Sequence, residues 1–340
     1  LNEETPHRRR PRYAGKYPRR FDQKYKELEG NADTIARVLA SGKTPAGRHV
    51  PIMVDEILEV LDPCPGQVCV DCTLGFGGHT RRLLERILPT GHLIGLDADP
   101  LEISKTESAL HEEGFISSAF TLRRSNFAGI HAALLGCGFS GADLVLADLG
   151  VSSMQLDNPQ RGFTWKSSGP LDMRMNPSKG ASAAQWLLKI STESLQEILI
   201  ENSDEPHAVV LAAKLAGRHL ETTTDLADAI REALAIRPQE EIEKAVRRVF
   251  QAVRIAVNEE FTALDTLLRH LPACLNPGAR VAIMTFHSGE DRRVKKSFQA
   301  GLRDGAYSSI CKDVIRAGAA ECRANPRSTA AKLRWAVRAA

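Results

Sequence analysis

Through its first half the chain alternates short apolar runs with apolar residues at helical spacing. Val68-Cys69-Val70 is a compact run closed by Asp71. Beyond it Leu83, Leu84 and Ile87 share one face of a segment that starts near Thr80. A second run, His92 to Leu96, is closed by Asp97, and a helix is expected over roughly 101–111. A third strand is expected near 120–122. The fourth, over 143–147 (DLVLA), is apolar almost throughout, as a strand covered on both faces should be. Ahead of the first strand, Ile57, Leu58 and Leu61 mark a helix that ends before Pro63. Alternation of this kind predicts a parallel sheet with helices on both sides.

After Asp148 the pattern changes. Residues 158–180 are rich in Gly, Pro, Ser and Asn and have no clean period. Residues 181–271 carry helical spacing only, in segments over 182–190, 192–201, 206–220 and 224–235 and one long stretch over 238–270. Thr223 or Thr224 is placed to cap a helix, and Pro238 to open one. Strand-like alternation returns over 279–286, and a last strand is expected over 332–337. The chain thus reads as an arm (1–47), an α/β body (48–157 and 272–340) and an inserted helical segment (158–271). The insertion leaves the sheet at the carboxyl ends of its strands, where ligands of open α/β sheets bind, so it can roof a site there.

Composition adds a polarity to this plan. The chain has 340 residues, 43% of them hydrophobic, which suffices for a core, and no apolar run approaches membrane-spanning length. The net charge is only +3, but residues 1–26 hold nine Lys and Arg against three Asp and Glu, and residues 291–340 hold twelve against four. Basic ends suit a polyanionic partner, most simply nucleic acid. In the arm Tyr13, Tyr17, Phe21 and Tyr25 recur every four residues among cations. They could stack on bases, or they could pin a short helix to the body. Residues 31–40 have helical spacing. The polar, arginine-rich start lacks the apolar stretch of a secretory leader. Seven scattered cysteines suit free thiols in a reducing compartment, hence a cytoplasmic location, bacterial or organellar. Cys69 and Cys72 form a CxxC, but no second pair follows at zinc spacing, so no metal is expected.

The chemistry gathers at strand ends. Gly75, Gly77 and Gly78 follow Asp71, and a backbone without Cβ atoms can pass close to a ligand while the next helix offers its free N–H groups. Asp97 lies 22 residues past Gly75, an offset suited to a ribose diol. These features predict a nucleoside cofactor without saying which. Thr80 stands where a dinucleotide fingerprint wants its third glycine, which counts against a nicotinamide dehydrogenase. The fourth strand ends in Asp148-Leu149-Gly150-Val151-Ser152-Ser153, then Gln155; the fifth ends in His287-Ser288, with Glu290, Asp291 and Arg292 beyond. Polar groups at the ends of successive parallel strands converge on one crevice.

Eight stretches in order, GFGGH (75–79), LDADP (96–100), ADLGVSSMQLD (147–157), RGF (161–163), GPLDMRM (169–175), FQAVRIAVNEE (250–260), FHSGEDR (286–292) and NPRSTAAKLR (325–334), resemble the RsmH (MraW) family of methyltransferases. The resemblance runs from about His49 to the end and leaves the arm outside the usual pattern. It implies a Rossmann-like S-adenosylmethionine-dependent methyltransferase sheet with an inserted all-α domain for substrate recognition. It also implies an enzyme that methylates the N4 amine of a cytidine in small-subunit ribosomal RNA, acting on the RNA or on the ribosomal subunit, with another RNA or a small molecule as the alternative substrate. A homodimer is compatible with it, and no membrane partner is implied. Cofactor contacts fall on Gly77, Gly78, His79, Asp97, Phe127, Asp148 and Gln155. Departures include Gly289 where the family has leucine, Met154 where it has proline, 205–208 where it has an Arg-Phe-Ala stretch, and Glu243-Lys244-Ala245-Val246 where it has His-Pro-Ala-Thr.

For transfer to an exocyclic nitrogen the expected reacting groups are Asp148 and Ser152, with His287 and Asn258 next. A satisfied polar group on a helix is an equal reading of Asn258. No cysteine adduct is needed, so Cys137 and Cys311 receive no role. Arg161, Lys166, Arg174, Arg292, Arg293, Lys295, Lys296, Arg327 and Lys332 are the expected RNA-facing cations, and the target base has to be unstacked.

Overall fold

In a computed structural model, residues 51–340 are described. The expectations for the arm, its aromatic repeat and the helix over 31–40 lie outside the described residues. The body opens with α1 (Val54–Leu61), β1 (Val68–Asp71), α2 (Gly78–Ile87), β2 (His92–Asp97), α3 (Pro100–Glu112), β3 (Phe120–Arg124), α4 (Ile130–Gly136) and β4 (Ala142–Asp148). A short α5 (Ser153–Asp157) leads into a loop. Helices α6 (Ala183–Lys189), α7 (Thr192–Ser203), α8 (Ala208–Leu215), α9 (Thr223–Ala233), α10 (Gln239–Val257) and α11 (Glu260–His270) follow. The sheet resumes with β5 (Leu275–Thr285), α12 (Ser288–Arg303), β6 (Tyr307–Ile310), α13 (Ala319–Ala324) and β7 (Lys332–Arg338).

The seven strands lie in the order β3-β2-β1-β4-β5-β7-β6. β1 to β5 are parallel, and β7 runs antiparallel between β5 and β6. The order reverses at β1 and β4, where parallel sheets open a crevice. Period-2 alternation explains the apolar runs. Val70, Ile94, Val145 and Val281 are register partners across four strands and face one core with α4, α11 and α12. Their neighbours Cys69, Leu93, Leu144 and Ala282 face the other core with α1 and α2. Both faces are covered, so no polar residue can alternate in without an unpaired cost.

The helices between β4 and β5 close over a cluster of their own, built on Leu187, Leu199, Leu211, Ile230 and Val249. Phe163, Leu171 and Met173 from the preceding loop join it. Ser182 and Thr222 each make a reciprocal capping box, with Gln185 and Asp225. The cap is therefore Thr222 rather than Thr223 or Thr224, the two positions expected. The single long helix expected over 238–270 is two helices, because Glu259 takes a left-handed conformation (φ 52) that ends one and starts the next. The break has consequences for packing: α11 turns its Leu264, Leu267 and Leu268 onto the sheet core rather than onto the helical cluster. The expected helix over 206–220 covers only 208–215. β6 escaped the sequence pattern because it is four residues long, polar, and at the sheet edge.

Candidate functional site

The glycine turn between β1 and α2 is held by β2. Asp97 closes that strand, and its carboxylate accepts the Gly75 N–H at 2.8 Å and the Asp99 N–H at 2.8 Å. Burial pushes its carboxyl up to about 6 against those two hydrogen bonds. Each oxygen keeps a free lone pair, so the group can still accept from a ligand hydroxyl. Gly75 sits at φ 47 and Gly77 at φ 69, conformations that favour glycine. Gly77 is not among the residues that line the crevice. A Cβ there would come 2.8 Å from Thr106 Cγ2, so its part is to let α3 close on the turn.

Asp148 closes β4 on the other side of the turn. Its backbone N–H donates to Thr73 Oγ1 at 2.6 Å, and Thr73 N–H donates in turn to Asp71 Oδ1 at 3.1 Å. Thr80 Oγ1 donates to the other Asp71 oxygen at 2.6 Å. Asp71 is thus a buried brace between the turn, α2 and the end of β4. Asp148 Oδ2 lies 3.8 Å from His79 Nδ1, and 28% of the Asp148 side chain is still open to the crevice. Burial pushes its carboxyl up to about 6; His79 opposes the shift, and Asp71 and Glu290 add to it. His79 Nε2 is 2.9 Å from the Ile52 carbonyl and donates to it, so Nδ1 carries a proton only in the cationic ring.

The two acids open onto one crevice of about 1450 Å³, larger than a single small-ligand site and roomy enough for two. Of the expected cofactor residues, Gly78, His79, Asp97, Phe127, Asp148 and Gln155 line it, and Ser152, His287 and Asn258 line it as well. Several of these spend their polar atoms on the protein. Ser152 Oγ accepts the Gln155 N–H at 3.2 Å, and Gln155 Oε1 accepts the Ser152 N–H at 3.0 Å, a reciprocal cap on α5. Gln155 Nε2 donates to Asp99 Oδ2 at 3.0 Å. Asn258 Oδ1 accepts the Met175 N–H at 2.7 Å, while Nδ2 donates to the carbonyls of Met173 at 2.7 Å and Arg254 at 2.9 Å. The helix-bound reading of Asn258 therefore fits the structure better than a reacting group. His287 caps α12, with Nδ1 accepting the Glu290 N–H at 3.4 Å. Burial alone would raise the Glu290 carboxyl, but His287 and Arg254 hold it below its ordinary value.

The expected RNA-facing cations are mostly paired within the chain. Arg161 reaches Asp99 at 2.7 Å and the carbonyls of Arg174 and Met175, and it is nearly enclosed. It ties the 158–180 loop to the cap of α3 and is not offered to a ligand. Arg174 pairs with Asp172, Arg292 with Asp204, Arg293 with Glu201 and Asp265, Arg327 with Asp157, and Lys332 with Asp291. Lys166, Lys295 and Lys296 are exposed. The sequence reading missed Arg124, Lys179 and Arg247, which are exposed, line the crevice and make no side-chain hydrogen bond or ion pair to any described residue. It also missed Glu102, a buried acid on α3 that lines the same crevice.

Residues 46–339 match the family model described as the MraW methylase family. A protein of Agathobacter rectalis called ribosomal RNA small subunit methyltransferase H 1 is 49% identical over all of this chain and all of its own. One of Acholeplasma laidlawii, called ribosomal RNA small subunit methyltransferase H 2, is 47% identical over 99% of each chain. One of Thioalkalivibrio sulfidiphilus, called ribosomal RNA small subunit methyltransferase H, is 38% identical over 88% of this chain and 100% of its own. The first two alignments reach through the N-terminal arm, so the arm has counterparts among relatives.

Proposed function

The chain belongs to the MraW methylase family, and on that footing we propose that it transfers the methyl group of S-adenosylmethionine to the N4 amine of a cytidine in small-subunit ribosomal RNA. The observation that carries the reading is that Asp97 and Asp148 open onto one crevice with the glycine turn between them. The donor set fits the cofactor. Asp97 suits a ribose diol, the Phe127 ring an adenine face, and Asp148 the cationic end. The cofactor supplies a methyl on a positively charged sulfur, which departs as a neutral thioether.

The chain's own residues have two tasks. The first is to hold a poorly nucleophilic amine, whose lone pair is drawn into the pyrimidine ring, in line with the methyl. Asp148 accepts one amine N–H, which favours the pyramidal, reactive nitrogen. The second is to take the proton that the amine loses once the new N–C bond has formed. A carboxyl near 6 is mostly ionised at neutral pH yet close enough to accept a proton readily. The nearby His79 steadies the charge on Asp148. Ser152, Gln155, Asn258 and His287 are positioning residues: they fix α5, the 173–175 loop and α12 around the pocket.

The helices over 158–271 form the substrate-recognition part. Arg124, Lys179 and Arg247 meet the RNA phosphates at the crevice mouth. Labelled-methyl transfer to small-subunit particles and to naked RNA, followed by nucleoside mapping, tests the reading. The expected product is one N4-methylated cytidine. Cofactor binding without methyl incorporation into either substrate would overturn it.

A further inference from the structure

Helix α3 presents one face to the glycine turn and the crevice. Glu102, Thr106 and Leu110 lie four residues apart on that face and are buried. Leu110 joins the hydrophobic core with α2. Thr106 Oγ1 donates to the Gly75 carbonyl at 2.6 Å and so anchors the turn. Glu102, one turn nearer the helix start, is 5% exposed, lines the crevice, and has an Oε2 atom with no hydrogen-bond partner. Packing alone is served better there by an apolar residue, because a buried carboxyl without a partner is costly. Such a group calls for a partner, and the crevice it lines is where one can enter.

We propose that Glu102 is a further binding residue for the nucleoside part of the cofactor, its unpartnered carboxyl hydrogen-bonding a ribose hydroxyl that in turn donates to Asp97. The inference rests on reading the crevice as an S-adenosylmethionine site. Burial and the surrounding charges favour the proton on Glu102. Asp97 at the end of β2 and Asp99 at the cap of α3 face Glu102, while Lys105 on the next turn of α3 and Arg161 from beyond α5 oppose them. Burial is the largest influence, and with the two acids it brings the carboxyl up to about 7. Among the described residues no group of three or more His, Cys, Asp or Glu is arranged to hold a metal ion. Two backbone N–H groups donate to Asp97 and favour its ionised form, whereas Glu102 Oε2 has no partner, so the pair matches a diol, which both donates and accepts.

The test is calorimetric titration of the full chain with S-adenosylhomocysteine from about pH 6.5 to about pH 8.5, for the wild type, Glu102→Gln and Glu102→Ala. Wild-type affinity should fall on the order of tenfold across the upper part of this range, as the carboxyl loses the proton it donates. Glu102→Gln keeps a donor that cannot ionise, so its profile should be flat relative to the wild type and its affinity higher at the alkaline end. Glu102→Ala should bind more weakly than the wild type even at the acid end, which a mere charge effect would not produce. Identical pH profiles for the wild type and Glu102→Gln, or wild-type affinity in Glu102→Ala at the acid end, would overturn the proposal. A wild-type protein that does not bind S-adenosylhomocysteine at all would overturn the cofactor reading, and Glu102's role with it.

Discussion

A Cβ added at Gly289 would lie 2.7 Å from Cζ of Phe261. The ring occupies the space that a side chain at 289 would need. Its other neighbours fix it there: the Arg293 guanidinium lies 3.8 Å over its centroid, and the His287 ring is 5.7 Å away. The leucine that the resemblance implies at 289 would thus meet Phe261 of α11. Gly289→Leu should destabilise the protein by about 1–3 kcal/mol through overpacking. Phe261→Leu in the same chain should return part of that loss. Thermal melts of both single variants and the double variant give the coupling, and strictly additive effects would count against it.

Asp148 carries a stability cost that burial imposes on its carboxyl. Its folded carboxyl is raised to about 6 from an ordinary value near 4. The folded state then binds a proton more tightly than the unfolded chain, so the associated stability is complete at low pH and is lost as pH rises toward 6. Asp148→Asn should therefore melt higher than the wild type at neutral pH, by something on the order of 1–3 kcal/mol. The gap should close as pH falls and vanish near pH 4. Methyl transfer should be abolished in the same variant while S-adenosylhomocysteine still binds.

Asn258 holds the 173–175 segment through two hydrogen bonds, with the Met175 N–H and the Met173 carbonyl, and a third ties its amide to the Arg254 carbonyl of α10. Its break would leave the Met175 N–H and the Met173 carbonyl unpaired. Asn258→Ala should cost about 2–4 kcal/mol of stability. In steady-state assays it should raise KM for the RNA substrate more than KM for the cofactor. A variant with wild-type melting and a loss confined to kcat would instead mark Asn258 as a reacting group.

Arg161 neutralises Asp99, whose side chain is fully buried. Removing the guanidinium leaves that carboxylate uncompensated, at a cost of about 3–5 kcal/mol. Arg161→Ala should accordingly lower the melting temperature strongly. A variant that stays fully stable but binds RNA weakly would restore Arg161 to the phosphate-contacting set.

The crevice-mouth cations Arg124, Lys179 and Arg247 should behave in the opposite way. Replacing all three with Gln should leave stability nearly unchanged and weaken RNA binding. The slope of log affinity against log salt should fall by about 2, if each meets one phosphate of a single strand. Cofactor affinity measured alongside should not move by more than a small factor.

Much of this protein was determined within short stretches of sequence. The parallel strands show as apolar runs because both faces of the sheet are buried, and that demand acts residue by residue. The glycine turn, Asp97 and Asp148 show because strand ends in such a sheet face the same crevice whatever else the chain does. The tertiary structure decided which polar groups remain free to meet a ligand. Asn258, Gln155 and Arg161 look available in the sequence, but their partners, Met173 and Met175 for Asn258 and Asp99 for the other two, stand dozens of positions away. Glu102, by contrast, looks like an ordinary helical surface acid until α3 folds its face onto Gly75 and leaves the carboxyl without a partner. A hydrogen bond or ion pair is a contact in space, and local spacing carries no record of the distant residue that will complete it.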